Sequence, residues 1–446
     1  MKPPYFIPNF KEVRFFMPHF PIFTGSFKSV DASKVRLLLS KLGNPQNALK
    51  NIIHIVGTNG KGSSCAYLKS ILMEAGFKVA VFTSPHLYAV NERIEANDNF
   101  ITDEKLYILS EKVRFLCEEE GVYLTIFESL TIVAILYFAE ENCDFHIFEA
   151  GMGGERDATN IFSNIAGALF TSLSLDHTRF LGETLPEIAI QKLGVLKEGK
   201  PCIFHPFSGE VLNVILEKVA EKKAKPLFFG RDYNFCKVEF EDGLFGIEYE
   251  GKNGAMILPV PPLLGEHQLY NLSAVLRLLE ELSLKLEEGT FIKGIQKTKW
   301  AGRLECVNEE KLLNLLPEKS EIWFDGAHNE GGAIILAHWL ASQSEELENV
   351  LIVGKTRGTE VVNFLKPFKG IVSKGVALEG MGEIYPEFAS ILANGFEKNE
   401  IPCTKEKNML EAFTNLGKNC EKPVRIIICG SLYLARDLSF AIKTYQ

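Results

Sequence analysis

The chain has 446 residues, 46% of them hydrophobic and 24% charged, an ordinary balance for two or three domains with cores of their own. Its formal charge of -9, from 57 acids against 48 Lys and Arg, gives no general attraction for nucleic acid or anionic lipid. No apolar run nears the roughly 20 residues of a membrane span, and the start, MKPPYFIPNFKEVRFFMPHFPIF, is too broken by prolines and charges for a secretory signal.

The opening 25 residues read as an irregular aromatic arm, set to pack against the body. A helix is predicted over 31–42, with Val35, Leu38, Leu39 and Leu42 on one side. The turn GNPQ ends it. Then comes NIIHIV at 51–56, a short apolar strand, followed by GTNGKGSS, a helix over 64–75 and the strand KVAVFT at 78–83. This β-loop-α-β unit opens a mostly parallel α/β sheet. Helices follow near 103–120 and 127–141, then the strand DFHIFE ending at Glu149 and the strand ALFTSL before Asp176 and His177. A helix over 183–197 and the strand PCIFH come next. From 226 to 260 the alternating segments with Gly turns read as antiparallel hairpins. Helices over 267–282 and near 287–296 complete the domain. A second α/β run starts with the strand EIWF at 321–324 and continues with a helix at 331–341 and strands at 349–354 and 425–430. The fold class is thus α/β: an N-terminal P-loop ATPase-like domain with a mostly parallel sheet, residues 1–299, and a smaller C-terminal Rossmann-like α/β domain, residues 300–446. Nine cysteines without a CxxC pair read as reduced core thiols, and the expected location is cytoplasmic.

The sharpest chemical feature is Gly57-Thr58-Asn59-Gly60-Lys61-Gly62-Ser63. Small residues let the backbone curl so that several N–H groups point inward, a cradle for phosphate oxygens. The helix behind adds unsatisfied N–H donors and a favourable dipole. Lys61 can reach the β- and γ-phosphates, and the Ser63 hydroxyl is placed to bind Mg²⁺ or cap the helix. The match to GxxxxGK[ST] is imperfect, because Gly62 separates Lys61 from Ser63.

Glu149, Asp176-His177 and Ser84 all sit at strand ends, the edge where open α/β sheets bind ligands. Together with Ser63 they offer the hard donors that Mg²⁺ accepts in small number. Each has a duller reading: Glu149 as a cap or partner of Arg156, Asp176 as a turn cap, His177 as a core hydrogen-bonder. Lys192 adjoins an apolar helix face in TLPEIAIQKLGVLKEG, where ordinary snorkelling is the favoured reading of a lysine from the residues alone. In the second domain, Asp325-Gly326-Ala327-His328-Asn329 follows a strand and can carry a carboxylate and an imidazole to a ligand. Arg303 in WAGR lies at the domain junction, suited to phosphate or to a plain salt bridge.

These segments together resemble the folylpolyglutamate synthase/dihydrofolate synthase family, relatives of the Mur peptide ligases. The matching stretches are LGNPQ, GTNGKGSS, TSPHL, NERI, FESLT, GGERDATN, LDHTRFLGETLPEIAIQKLG, HQLYN, WAGRLE and DGAHN, from about residue 31 onward and thinner beyond 330. The resemblance implies ATP-dependent joining of the L-glutamate amino group to a carboxylate, on dihydropteroate or a reduced folate, through an acyl phosphate. By the same resemblance, residues 57–63 with Lys61 hold the triphosphate and Ser63 assists one Mg²⁺. Ser84, Glu149 and His177 organise a second Mg²⁺, and Lys192 matches a lysine carbamylated in family members. Asn271, Arg303, Asp325 and His328 match ATP-contacting residues, with His328 the candidate acceptor of the amine proton. Ser84, Pro85, His86, Asn91 and Arg93 shape the pterin-substrate site. The resemblance also implies a monomer and leaves a monovalent cation open.

The sequence departs from the family pattern at Ala301, at Leu193-Gly194-Val195, at Glu330 and most of all at GKTRGTE, 354–360, which replaces a more acidic segment. The favoured reading is a bifunctional enzyme adding glutamate both to dihydropteroate and to folate tails. The alternatives are one of those activities alone, a Mur-type amino-acid ligase, or a nucleotide-binding switch. The Mur ligase reading is disfavoured because only about 50 residues precede the phosphate loop.

Overall fold

The computed structural model describes residues 32–239, 245–357, 360–379 and 386–444. They divide into two compact units, 32–300 and 301–444. The expected aromatic arm lies outside the described residues.

In the first unit, β1 (Ile52–Val56), β2 (Val79–Phe82), β3 (Ile94–Ala96), β4 (Asn99–Phe100), β5 (Phe145–Glu149), β6 (Gly167–Phe170), β7 (Pro201–Phe204) and β8 (Lys225–Phe228) form one sheet. Its order is β4-β3-β2-β5-β1-β6-β7-β8. All neighbours from β2 to β8 run parallel, and β3 and β4 turn back as an antiparallel edge. β1 is buried along its whole length, as a central strand with both faces covered must be. Its side chains alternate between two cores. Ile52 and Val56 face the core shared with helices Asp103–Glu120 and Ile126–Glu141, while Ile53 and Ile55 face helices Lys61–Glu74 and His267–Glu281. Phe148 on β5 packs into the first core against Phe162 at 4.7 Å between ring centroids. The predicted hairpins form a separate antiparallel sheet from β9 (Asn234–Glu239), β10 (Phe245–Gly251) and β11 (Gly254–Pro259).

Two expectations change near the sheet edge. The helix predicted over 183–197 is two pieces, Thr178–Leu181 and Leu185–Leu193. A capping box resets the second: Thr184 accepts from Glu187 N–H, and the Glu187 carboxylate accepts from Thr184 N–H. It stops at Gly194, where a Cβ would stand 2.5 Å from the Glu155 Cα, so only glycine admits the loop there. The strand predicted as ALFTSL ends at Phe170, and residues 171–174 leave the sheet to meet the phosphate loop.

The second unit holds β12 (Glu305–Cys306), β13 (Glu321–Phe324), β14 (Glu348–Val353), β15 (Lys374–Leu378), β16 (Cys403–Glu406) and β17 (Val424–Cys429), in the order β12-β13-β17-β14-β15-β16. Only β12 is antiparallel. β15, β16 and the helices Ala389–Lys398, Met409–Asn419 and Leu434–Thr444 were not read in the sequence. The expected α/β class, a mostly parallel sheet followed by a smaller α/β unit, is the observed one. Five of the nine thiols are buried and all are free. Among the described residues no helix is long and apolar enough to cross a membrane.

Candidate active site

Strand order brings the chemistry of the first unit together. β5 and β6 flank β1 in parallel, with Ile55 beside Glu149 and Val56 beside Phe170. The loop after β1 therefore opens next to Glu149 and next to residues 171–174. Ser84, just past β2 on the far side of β5, donates its backbone N–H to Glu149 Oε2 at 3.0 Å.

The loop's curvature depends on two glycines in the left-handed region. Gly57 has φ +149° and its Cβ would fall 1.8 Å from Thr171 Oγ1; Gly60 has φ +88° and its Cβ would fall 2.4 Å from Asn271 Oδ1. Gly62 lies under the Trp300 indole, 2.6 Å from where a Cβ would stand. Polar bonds from 171–174 brace the other side. Thr58 N–H donates to Ser172 O at 2.7 Å, Ser174 N–H donates to Thr58 Oγ1 at 3.2 Å, and Asn59 Nδ2 donates to Ser174 Oγ at 3.3 Å. Lys61 starts the helix behind the loop, with its amine 2.9 Å from Thr58 O and 3.7 Å from Glu149 Oε1.

Lys192 enters from below. Its side chain is only 5% exposed, and Nζ donates to Gly57 O at 2.7 Å. Burial, helped by the Lys61 charge and opposed by Asp176 and Asp157, lowers this amine to about 7. The neutral form is thus well populated near neutral pH, which a snorkelling lysine does not achieve. Asp157, in GGERDATN, is buried and accepts from Met152 N–H, Thr159 N–H and Thr159 Oγ1. It ties the turn after Glu149 to Thr159, whose hydroxyl meets His54 Nε2 at 2.8 Å.

The other predicted residues are more dispersed. His177 sits in the left-handed region, half exposed, with Nε2 3.9 Å from Asp176 Oδ1. Among the described residues no three His, Cys, Asp or Glu side chains gather as a metal cage. Beside the loop the edge offers a cation the Glu149 carboxylate and serine hydroxyls, with Asp176 close enough to act on Lys192. That sparse oxygen set fits an ion bound mainly through water and phosphate, as Mg²⁺ is, and not a caged transition metal. In the segment after Ser84, Pro85 is exposed and His86 buried, while Arg93 Nε donates to His86 Nδ1 at 2.9 Å. Asn91 Nδ2 donates to Ile101 O and Asp103 Oδ1, and the Glu92 carboxylate accepts from the N–H groups of Leu87, Tyr88 and Ala89. Glu92 and Arg93 thus tie NERI to the segment after Ser84, and Asn91 ties it to the start of the helix Asp103–Glu120.

Gln268 was missed. It is fully buried, accepts from Asn271 Nδ2 at 3.0 Å and donates to Ser63 Oγ at 3.2 Å. Its place three residues before Asn271 on one helix was the available clue. The bracing strand end at 171–174 carried no such clue, since apolar periodicity does not report where a strand leaves its sheet.

In the second unit, Asp325 follows β13 and is half-buried. Its two oxygens accept from Leu304 N–H and Ala327 N–H, both at 2.8 Å. Burial raises its carboxyl above the ordinary range, opposed by Arg303. The Arg303 guanidinium lies against Gly326, 2.3 Å from where a Cβ would stand. His328 Nδ1 is 2.9 Å from Gly326 O. Lys355, from the segment that departs from the family pattern, is 1% exposed, donates to His328 O at 2.5 Å and sits 4.0 Å over the Phe364 ring.

The kinship of the chain agrees with this architecture. Residues 55–279 match the model of the Mur ligase middle domain, and residues 309–441 match that of the dihydrofolate synthetase C-terminal domain. The second stretch contains GKTRGTE, so that segment falls within a recognised type of C-terminal domain. The chain is 31% identical over 426 residues to dihydrofolate synthetase of Saccharomyces cerevisiae, covering 91% of this chain and 96% of the relative. It is also 31% identical over 427 residues to dihydrofolate synthase/folylpolyglutamate synthase of Bacillus subtilis, covering 92% and 94%. The structure of E. coli FolC in complex with DHPP and ADP superposes with a TM-score of 0.80 at 25% identity, covering 93% of each chain. By sequence over nearly its whole length, and by fold, the chain belongs to the dihydrofolate synthase/folylpolyglutamate synthase family.

Proposed function

We propose that the protein is an ATP-dependent ligase that joins the amino group of L-glutamate to dihydropteroate and to the glutamyl tail of reduced folates. The observation that carries the reading is the loop 57–63. It is a glycine-shaped cradle at the carboxyl edge of a parallel sheet, with the Lys61 amine at its mouth and Glu149 beside it. In the C-terminal unit we assign Arg303 and His328 to the nucleotide, with Asp325 acting through the turn it fixes beneath His328.

The chemistry follows from charge. A carboxylate is a poor electrophile at neutral pH, so it must be activated before an amine can attack it. The substrate carboxylate oxygen attacks the γ-phosphorus of ATP, the bond to the bridging oxygen breaks, and ADP leaves with that electron pair. Lys61 and the backbone N–H groups of the loop hold the charge that builds on the phosphoryl oxygens. Mg²⁺, when bound through phosphate, Ser63 and the Glu149 edge, supplies further neutralisation of that charge. The neutral glutamate amine then attacks the acyl carbon, loses a proton to a base for which His328 is the candidate, and phosphate departs. Orientation and electrostatics do the work, with no covalent enzyme intermediate.

Lys192 is read as the site of carbamylation. A neutral amine can attack CO₂ and lose a proton, which turns a cation beside the phosphate loop into an anion. Its burial and lowered proton affinity favour that reaction.

A second reading, dihydropteroate addition alone, is favoured by one observation: residues 309–441 match the C-terminal domain described for dihydrofolate synthetase. Glutamate-dependent ADP release with dihydropteroate and with tetrahydrofolate, each with and without L-glutamate, tests both. Release with both acceptors supports the bifunctional reading, release with dihydropteroate alone supports the second, and release with neither sinks the ligase assignment.

A further inference from the structure

The helix His267–Glu281 touches the phosphate loop through two buried amides in series. Asn271 Nδ2 donates to Gln268 Oε1 at 3.0 Å, and Gln268 Nε2 donates to Ser63 Oγ at 3.2 Å. Gln268 is 0% exposed, Asn271 2% and Ser63 1%. A buried primary amide costs free energy unless its groups are paired, and neighbours on this helix such as Leu269, Leu272 and Leu276 fill the core with hydrocarbon. Packing alone would be served by a leucine or methionine at 268. The amide needs another reason.

Hydrogen-bond direction supplies it. The Gln268 carbonyl accepts from Asn271, so its amino group is the end presented to Ser63. Ser63 Oγ is therefore an acceptor in that bond. One lone pair takes the Gln268 N–H, and the hydroxyl keeps its second lone pair and its proton for whatever occupies the loop. Without that donor the hydroxyl rotor is free to turn about Cβ–Oγ, and its proton can face a cation as readily as its lone pair.

We infer that Gln268 is a positioning residue that orients the Ser63 hydroxyl, so that a lone pair faces the divalent cation accompanying a nucleotide's phosphates. This rests on the reading of Ser63 as a metal contact. Gln268 itself touches neither nucleotide nor metal; it acts through one hydroxyl.

The test is ADP binding by calorimetry with and without saturating Mg²⁺, on the full chain carrying Gln268→Met, Gln268→Leu, Ser63→Ala, or Ser63→Ala with Gln268→Met. Metal-free ADP affinity stays within about twofold in both single Gln268 variants, which also reports an intact loop. The enhancement of ADP affinity by Mg²⁺ falls about tenfold in either Gln268 variant, the scale of one oriented hydrogen bond. It falls no further in the double variant than in Ser63→Ala alone, because the two changes remove one interaction. Additive losses, or equal losses in the metal-free arm, overturn the inference and leave Gln268 a packing residue. If Ser63→Ala leaves the Mg²⁺ enhancement whole, the metal reading of Ser63 fails first. If Ser63→Ala lowers it and the Gln268 variants do not, only the inference fails.

Discussion

Both parallel sheets carry ionisable side chains at their carboxyl edges, and they use them in opposite senses. At the first edge the Lys61 amine rests on the loop carbonyl Thr58 O with N–H capacity left over, while buried Lys192 holds Gly57 O from behind. At the second edge both oxygens of Asp325 are taken by backbone N–H groups of its own unit, and Lys355 is turned onto His328 O. The first edge is a receptor for an anion; the acid of the second is a clamp that fixes the turn carrying His328. Strand-end position, which marks both in the sequence, does not separate a group that reaches out from one that holds the chain.

The comparison breaks most readily at Lys61. Lys61→Met is expected to lower glutamate-dependent ADP release about 1,000-fold, the scale of one charge-stabilising donor at a transferring phosphoryl group, with the melting temperature little changed. A loss below tenfold would remove the receptor reading. Gly60→Ala comes next. Its strained φ and the clash with Asn271 should weaken ADP binding about 100-fold; near-normal affinity by calorimetry would mean that the loop reshapes on binding.

The clamp predicts a different outcome at Asp325. Asn there sets an amide N–H against one of two backbone N–H donors, so Asp325→Asn should cost about 2 kcal/mol in urea unfolding of the C-terminal transition. An unchanged midpoint, with activity lost, would make Asp325 a ligand contact and bring the two edges closer together.

The smallest effect lies behind the first edge. Burial lowers His54 to about 3, so between pH 6.5 and that value the unfolded chain binds a proton that the native chain refuses. Stability from keeping His54 neutral is therefore lost as pH falls through this window. His54→Gln should recover about 1 kcal/mol of the difference in unfolding free energy between pH 7 and about pH 5.5. Identical acid sensitivity in the variant would show that His54 gains a proton in the folded state.

Legibility in the sequence followed range. NIIHIV, GTNGKGSS and the helix after them are contiguous, so periodicity and glycine placement were enough to draw β1, its loop and the helix behind it. Glu149 and Asp325 could be put at strand ends for the same local reason. Gln268 lies 205 residues from Ser63 and Ser174 lies 115 from Asn59, and no local pattern announces such pairs. Asn91 and Arg93 are expected at the substrate site by resemblance, and no local pattern announces that Asn91 bonds Ile101 O and Asp103 Oδ1 or that Arg93 bonds His86. Side-chain direction in an irregular segment has no period to read.

What the sequence determined alone was the α/β class and a phosphate-binding turn, because short-range sterics and alternating hydrophobicity act within a few residues. Only the tertiary structure decided which strands lie beside β1. That order alone puts Glu149 next to Lys61, sends 171–174 to brace the loop, and buries Lys192 beneath Gly57. Burial is a property of everything packed around a group, so the lowered proton affinity of Lys192 belongs to the fold and not to its helix.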